Sequence, residues 1–294
     1  MCGIFAYMGD KLATPILVEG LRRLEYRGYD SAGIAVKDES FSVYKKVGKV
    51  AELQSILPNN VPGNMGIAHT RWATHGVVSD ENAHPHASVS GDVIIVHNGI
   101  IENSRTLRTL LERKGISLSS ETDSETIAHI LDYELSRDNN PTSAMHRTIS
   151  KLHGTWGICA IFLNHDVMVC ARNGSPLIIG KGDNEMFISS DPHALTTHTQ
   201  RVVFLEDGDI ATITSDSIAM SSLNGVNKEA SITVLEDEWG EAEMGDFPHF
   251  MLKEIFEQPD ALRHCISGRL DRVRGNGRLG GLKLSPLELS KLPH

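Results

Sequence analysis

Between Gly157 and Leu235 apolar runs are cut at short intervals by Asn173-Gly174, Gly182-Asp183, Asp207-Gly208 and Asn224-Gly225. Such dipeptides accept the backbone angles of tight hairpin turns, which confines this stretch to a multistranded antiparallel arrangement. Earlier runs at Cys2 to Met8, Gly33 to Val36, Phe41 to Val47, Met65 to His69 and Val93 to His97 also read as strands. Helical spacing interrupts them. Thr14-Pro15 supplies an N-cap and a first-turn proline, Leu17, Leu21 and Leu24 share one face, and Gly28 follows as a stop. Further helices are expected at Ser104 to Lys114, stopped by Gly115, at Ser124 to Ser136, with Ile127, Ile130, Leu131 and Leu135 on one face, and at Pro141 to Leu152. Strands, then helices, then strands without a βαβ rhythm predict an α+β domain, its sheets packed together and its helices outside.

Composition changes after Leu235, where Glu236, Asp237, Glu238, Glu241, Glu243 and Asp246 crowd together with two glycines. The expected organisation is a main domain over 2–240, a linker over 241–268 with helices at Phe250 to Phe256 and Asp260 to Ser267, and a tail over 269–294. The tail is rich in glycine and arginine and too poor in apolar residues to form a core.

The 38 acidic and 28 basic side chains give a formal charge of -10, which repels phosphate backbones and anionic lipid and argues against nucleic acid and membrane partners. No apolar run approaches the ~20 residues of a spanning helix, and the start lacks a secretory pattern, so a cytoplasmic location is expected. Cysteines at 2, 159, 170 and 265 show no paired spacing for zinc or a dithiol. Cys159 and Cys170 lie in apolar runs and read as buried, small hydrophobes. Cys2 is different by position alone.

A thiol on the first mature residue has a base built in, because a free α-amine titrates near ~8 and relays the thiol proton directly or through water. That requires removal of Met1; taken alone, Met-Cys-Gly reads as the start of an edge strand. The polar segment Leu24-Glu-Tyr-Arg-Gly-Tyr-Asp-Ser-Ala-Gly33 follows, and then His69-Thr-Arg-Trp-Ala-Thr-His-Gly76 ends a strand. Arg71 offers a bidentate grip on a carboxylate and Trp72 a cover over it. The two histidines lack a third convincing metal ligand, so no metal is expected. Val93-Ile-Ile-Val-His-Asn-Gly99 ends in a dipeptide that is either an ordinary turn or a side-chain amide and a backbone N–H aimed at an oxyanion. Thr122-Asp-Ser-Glu125 has capping-box spacing, and its Asp123 suits either a first helical turn or an ammonium ligand.

Cys2-Gly-Ile, Arg27-Gly-Tyr-Asp-Ser-Ala-Gly33, His69 to Gly76, Asn82-Ala-His-Pro-His86, His97-Asn-Gly99 and Glu121-Thr-Asp123 together resemble the glutamine amidotransferases of the N-terminal-nucleophile hydrolase class. The likeness is greatest to the glutaminase half of the glucosamine-6-phosphate synthase family, and it covers roughly Cys2 to Gly268. It implies a four-layer αββα sandwich, L-glutamine as substrate, and no cofactor. It implies Cys2 as nucleophile, Asn98 and Gly99 as oxyanion hole, Arg71 on the substrate carboxylate and Asp123 on its ammonium. Thr74 and His75 would complete the pocket, Trp72 would gate it, Arg27 would organise the nucleophile end, and His84 would support the pocket.

In that family a sugar-isomerase half uses the ammonia to convert fructose 6-phosphate. Phe247 to Pro259 resembles the entry to that half, which is missing after it, and the composition of 269–294 departs from the family. Homo-oligomer formation stays open. Trp72 and the Tyr26-Arg-Gly-Tyr29 context look like the sugar synthase, and the phosphoribosylpyrophosphate amidotransferases and asparagine synthetases, which share the nucleophile chemistry, are the close alternatives within the class. A non-catalytic glutamine-sensing module is the alternative outside it.

Overall fold

The computed structural model describes residues 2–235, 246–266, 270–271 and 276–277. The chain divides into two compact units, Met1–Ala242 and Glu243–His294. Met1, the Cys265 side chain and most of the expected tail lie outside the described residues.

In the first unit the strands are β1 (Gly3–Met8), β2 (Ser31–Lys37), β3 (Phe41–Val47), β4 (Met65–Arg71), β5 (His86–Ala87), β6 (Val93–Ile101), β7 (Gly154–Phe162) and β8 (His165–Asn173). They continue as β9 (Ile178–Lys181), β10 (Met186–Ser189), β11 (Arg201–Phe204), β12 (Asp209–Ile213), β13 (Ile218–Ser222), β14 (Asn227–Lys228) and β15 (Thr233–Val234). The helices are α1 (Ala13–Leu24), α2 (Val50–Ile56), α3 (Ser104–Arg113), α4 (Ser124–Leu135) and α5 (Pro141–Ile149).

An eight-stranded sheet runs β15-β11-β9-β10-β1-β4-β2-β3, and a seven-stranded sheet runs β14-β13-β12-β8-β7-β6-β5. Alternation along β1 shows how they stack. Ile4, Ala6 and Met8 join Ile94, Val96, Cys159 and Cys170 of the other sheet in a central core. Phe5 and Tyr7 point the opposite way, into a core with Leu17, Leu21 and Leu24 of α1. On the far side of the second sheet Val93, Ile95 and Ile158 pack against Ile127 and Leu131 of α4 and Met145 of α5. The result is the expected α+β sandwich of four layers, helix, sheet, sheet, helix, and it explains why β1 reads as an unbroken apolar run: both of its faces are covered.

Local expectations needed correction in three places. Helix α1 begins at Ala13 behind Leu12, with no side-chain cap; Thr14 lies inside the first turn and its buried hydroxyl has no partner. Gly28 does not stop the helix through a left-handed turn. Its backbone is extended at φ -176° after a 3₁₀ turn at Glu25–Arg27, and a Cβ there would lie 2.7 Å from the Arg71 carbonyl carbon. Close passage past β4 is what requires glycine. In the second unit one helix, α6 (Phe250–Ile266), runs through Pro259 where two helices were expected. Gly115, by contrast, is left-handed at φ +81° directly after α3, as expected of a stop. No helix among the described residues is long and apolar enough to cross a membrane.

Candidate active site

Strands β1, β4 and β6 deliver the expected residues to one place. Gly3 of β1 pairs with Thr70 of β4, which brings Cys2 beside the end of β4 and the loop after it. The Cys2 sulfur lies 3.3 Å from the Trp72 backbone nitrogen and 3.5 Å from the Trp72 carbonyl oxygen. Burial raises the thiol pKa, and the Trp72 N–H, Arg71 and Arg27 oppose the shift. The thiol is therefore protonated near neutral pH and needs a base to become nucleophilic.

Two donors hold the backbone carbonyl of Cys2. Arg27 Nε donates to it at 3.1 Å, and so does Asn98 Nδ2 from the end of β6, also at 3.1 Å. Arg27 is itself anchored: its Nη1 lies 2.7 Å from Asp191 Oδ2, which also accepts the Tyr26 hydroxyl at 2.5 Å. Burial, reinforced by Asp191, pushes the Tyr26 phenol up to about 12. Gly99 follows Asn98 with φ +132°, and a Cβ there would stand 2.1 Å from the Thr155 carbonyl oxygen. Only glycine fits.

Arg71 is buried at the end of β4, where its electrostatic neighbours are Cys2, Asp30 and Asp123. Its guanidinium donates to the carbonyl oxygens of His75, Gly76 (3.3 Å) and Val77 (3.2 Å), so it folds the following loop around itself. Asp123 is buried just before α4, where Oδ2 accepts the Ile101 N–H at 2.7 Å. Thr74 and His75 are exposed on the loop. Trp72 is 40% exposed and meets Tyr29 edge to face, with ring centroids 5.5 Å apart.

His84, expected to support the pocket, lies in the interior behind His69. It is buried and stacked on His69 at 4.1 Å between centroids, and its Nδ1 accepts the His97 N–H at 3.3 Å. Only half of the expected capping box forms. Thr122 Oγ1 accepts from Glu125 N at 3.4 Å, whereas the Glu125 carboxylate turns to the backbone and hydroxyls of Ser119 and Ser120. Burial works against ionisation of Glu125, but hydrogen bonds from His129, Ser119 and Ser120 outweigh it and hold its pKa below the usual carboxylate range.

Sequence reasoning missed the groups that brace these residues. Asp30 Oδ2 accepts the Ala73 N–H at 2.8 Å, and its own N–H reaches the Arg71 carbonyl at 3.0 Å. Glu121 Oε2 accepts from Val77 N at 3.1 Å and Asn82 Nδ2 at 3.2 Å, while Asn82 Oδ1 accepts the Glu121 N–H at 2.8 Å. The loop after β4 is thus tied at both ends. Asn82 and Glu121 stand inside sequence motifs; Asp191 stands in none. No group of three or more His, Cys, Asp or Glu side chains fit to hold a metal ion occurs among the described residues.

A glutamine amidotransferase domain model matches residues 69–197. Glutamine–fructose-6-phosphate aminotransferase (isomerizing) of Chlorobaculum tepidum is 45% identical over 96% of this chain and 47% of its own length. The enzyme of the same name from Thermus thermophilus is 43% identical over 99% of this chain and 48% of its own length. The chain spans about half the length of the curated relatives it matches. Among solved structures, the glutamine phosphoribosylpyrophosphate amidotransferase of B. subtilis superposes with a TM-score of 0.66 at 25% identity, covering 76% of this chain and 49% of that one.

Proposed function

We propose that the chain is a glutamine amidotransferase of N-terminal-nucleophile type, which hydrolyses L-glutamine to L-glutamate and ammonia through a glutamyl thioester on Cys2. The observation that carries this reading is the junction at Cys2, where the Trp72 N–H meets the thiol and the Asn98 amide holds the carbonyl of the same residue. Once Met1 is removed, the Cys2 amine accepts the thiol proton and the thiolate attacks the side-chain amide carbon. A carbon–sulfur bond forms and the amide oxygen becomes an oxyanion, met by a donor from the Asn98 amide and by the Gly99 backbone. Collapse breaks the carbon–nitrogen bond, and the proton carried by the amine leaves with ammonia. Water then attacks the thioester, freeing glutamate and restoring the thiol.

Arg71 binds the α-carboxylate of glutamine and Asp123 its α-ammonium, two buried charges suited to the two opposite charges carried on one α-carbon. Thr74 and His75 line the entrance, and Trp72 covers it. The names of the relatives support fructose 6-phosphate as the acceptor of the ammonia, in a sugar-isomerase half beyond the matched region, with glucosamine 6-phosphate as product. The test is glutamate release from glutamine by the purified protein, compared with Cys2→Ala. Equal rates for the two would overturn the assignment.

A further inference from the structure

The hydrogen bond between Asn98 and Cys2 has a second half, inside the protein. A carbonyl oxygen only accepts, so the Asn98 group 3.1 Å from the Cys2 carbonyl must be the amide nitrogen. The opposite corner of that side chain is then Oδ1, also only an acceptor. It lies 3.0 Å from His69 Nε2, on β4 of the other sheet, and a bond between them requires the proton to be on Nε2. His69 is 1% exposed, its Nδ1 has no hydrogen-bond partner, and burial pushes its pKa down to about 3, so the ring is neutral with Nε2 as its N–H. The ring plane is fixed from behind by His84, stacked at 4.1 Å and 19°. His84 is followed by His86, edge to face at 4.6 Å, whose Nε2 is 3.0 Å from the Thr122 hydroxyl.

We propose that His69 is a positioning residue for glutamine hydrolysis: its Nε2–H holds Asn98 Oδ1, selecting the one amide orientation that points N–H groups at the nucleophile and at the oxyanion. This rests on the assignment of Asn98 to the oxyanion hole. An amide has two nearly isosteric orientations, and the reversed one would set Oδ1 against the Cys2 carbonyl and against the developing oxyanion. Of the two Asn98 N–H groups, one is used on the Cys2 carbonyl, which leaves the other for the substrate oxygen. The imidazole column in the interior thus acts on the reaction without touching substrate.

The proposal separates from a packing role by comparing two reactions of the same thiol. Hydrolysis passes through an oxyanion; alkylation of Cys2 by iodoacetamide is a direct displacement at carbon and does not. His69→Leu should lower kcat at least tenfold with KM for glutamine within threefold, while Cys2 alkylates within twofold of the native rate. His69→Gln, which presents an amide N–H at similar reach, should recover most of the loss. In an Asn98→Ala background the His69→Leu change should cost nothing further, because there is no amide left to orient. A native kcat in His69→Leu would overturn the proposal, as would an equal loss in both backgrounds, or equal falls in hydrolysis and alkylation. Should His69→Leu not fold, the His69→Gln and Asn98→Ala cycle decides the matter: near-native kcat in His69→Gln supports the proposal and a large, additive loss overturns it. Unchanged kcat in Asn98→Ala would remove the oxyanion assignment itself, a result distinct from any His69 outcome.

Discussion

The sulfur of Cys2 and the backbone nitrogen of Trp72 lie 3.3 Å apart although 70 positions separate them in sequence. That N–H stabilises a thiolate, yet burial still holds the thiol pKa above its ordinary value. Activity must therefore depend on the base that takes the proton. With Met1 in place the nitrogen of Cys2 is an amide and has no basic lone pair. Protein retaining Met1 should release no glutamate at any glutamine concentration, and intact-mass analysis should show active preparations one methionine lighter. Undiminished turnover by a preparation that keeps Met1 would rule out the amine as base and turn attention to His75.

In the proposed reaction Arg71 and Asp123 meet charges that glutamine already carries, whereas Asn98 meets charge that develops during attack. Arg71→Ala and Asp123→Ala should mainly raise KM. Asn98→Ala should mainly lower kcat, by ~100-fold if it supplies an oxyanion donor. Steady-state kinetics on the three variants distinguishes them, and a pure KM effect for Asn98→Ala would remove it from the oxyanion hole.

The loop after β4 depends on Glu121, whose carboxylate ties Val77 N to Asn82 Nδ2. Hydrogen bonds to a charged group contribute about 1.5–3 kcal/mol. Glu121→Ala should raise KM for glutamine roughly tenfold by loosening the loop around Arg71, and lower Tm by several degrees as those bonds are lost. A KM equal to that of the native protein would show that the loop does not rely on this tie.

Burial pushes the pKa values of His69 and His86 down to about 3 in the folded protein. An unfolded histidine titrates near ~6.5. Below that pH the unfolded chain binds more protons than the folded one, so the stability due to neutral burial is complete above ~6.5 and is lost as pH falls toward 3. From pH 7.5 to 5.5 these two groups should together cost roughly 2–3 kcal/mol, about 5–10 °C in Tm. Glu125, with its pKa held low, adds loss in the same direction at more acidic pH. Thermal melts across this range check the sign: a Tm that holds level or rises on acidification would contradict neutral burial.

Much of the fold was legible because its signals are local. The hairpin dipeptides after Gly157 and the leucines of α1 report on their own neighbourhoods, and the strands and helix appear where they point. The missing cap at Thr14 and the passage of α6 through Pro259 show where local preference yields to context. At the candidate site, motifs singled out Cys2, Arg71 and Asn98, which the fold brings close together, but not the groups that support them. Asp191 meets Arg27 across 164 positions, and Asp30 meets Ala73 across 43. Such partners are created by sheet order, which no periodicity encodes. Likewise, the histidine motif letters gave no hint that His69 stacks on His84 and His84 meets His86 edge to face.

The position of β1 also bears on when the protein becomes active. Its edges are occupied by β4 and by β10, and Ile4 exchanges hydrogen bonds with Ser190, so one side of the nucleophile strand has no neighbour until synthesis has passed residue 190. The amino end of a nascent chain is consequently left open to a processing enzyme at least until residue 190 has been made. A ribosome-bound fragment ending before Met186 would carry the thiol on a strand with one edge bare and with Arg27 lacking its Asp191 anchor.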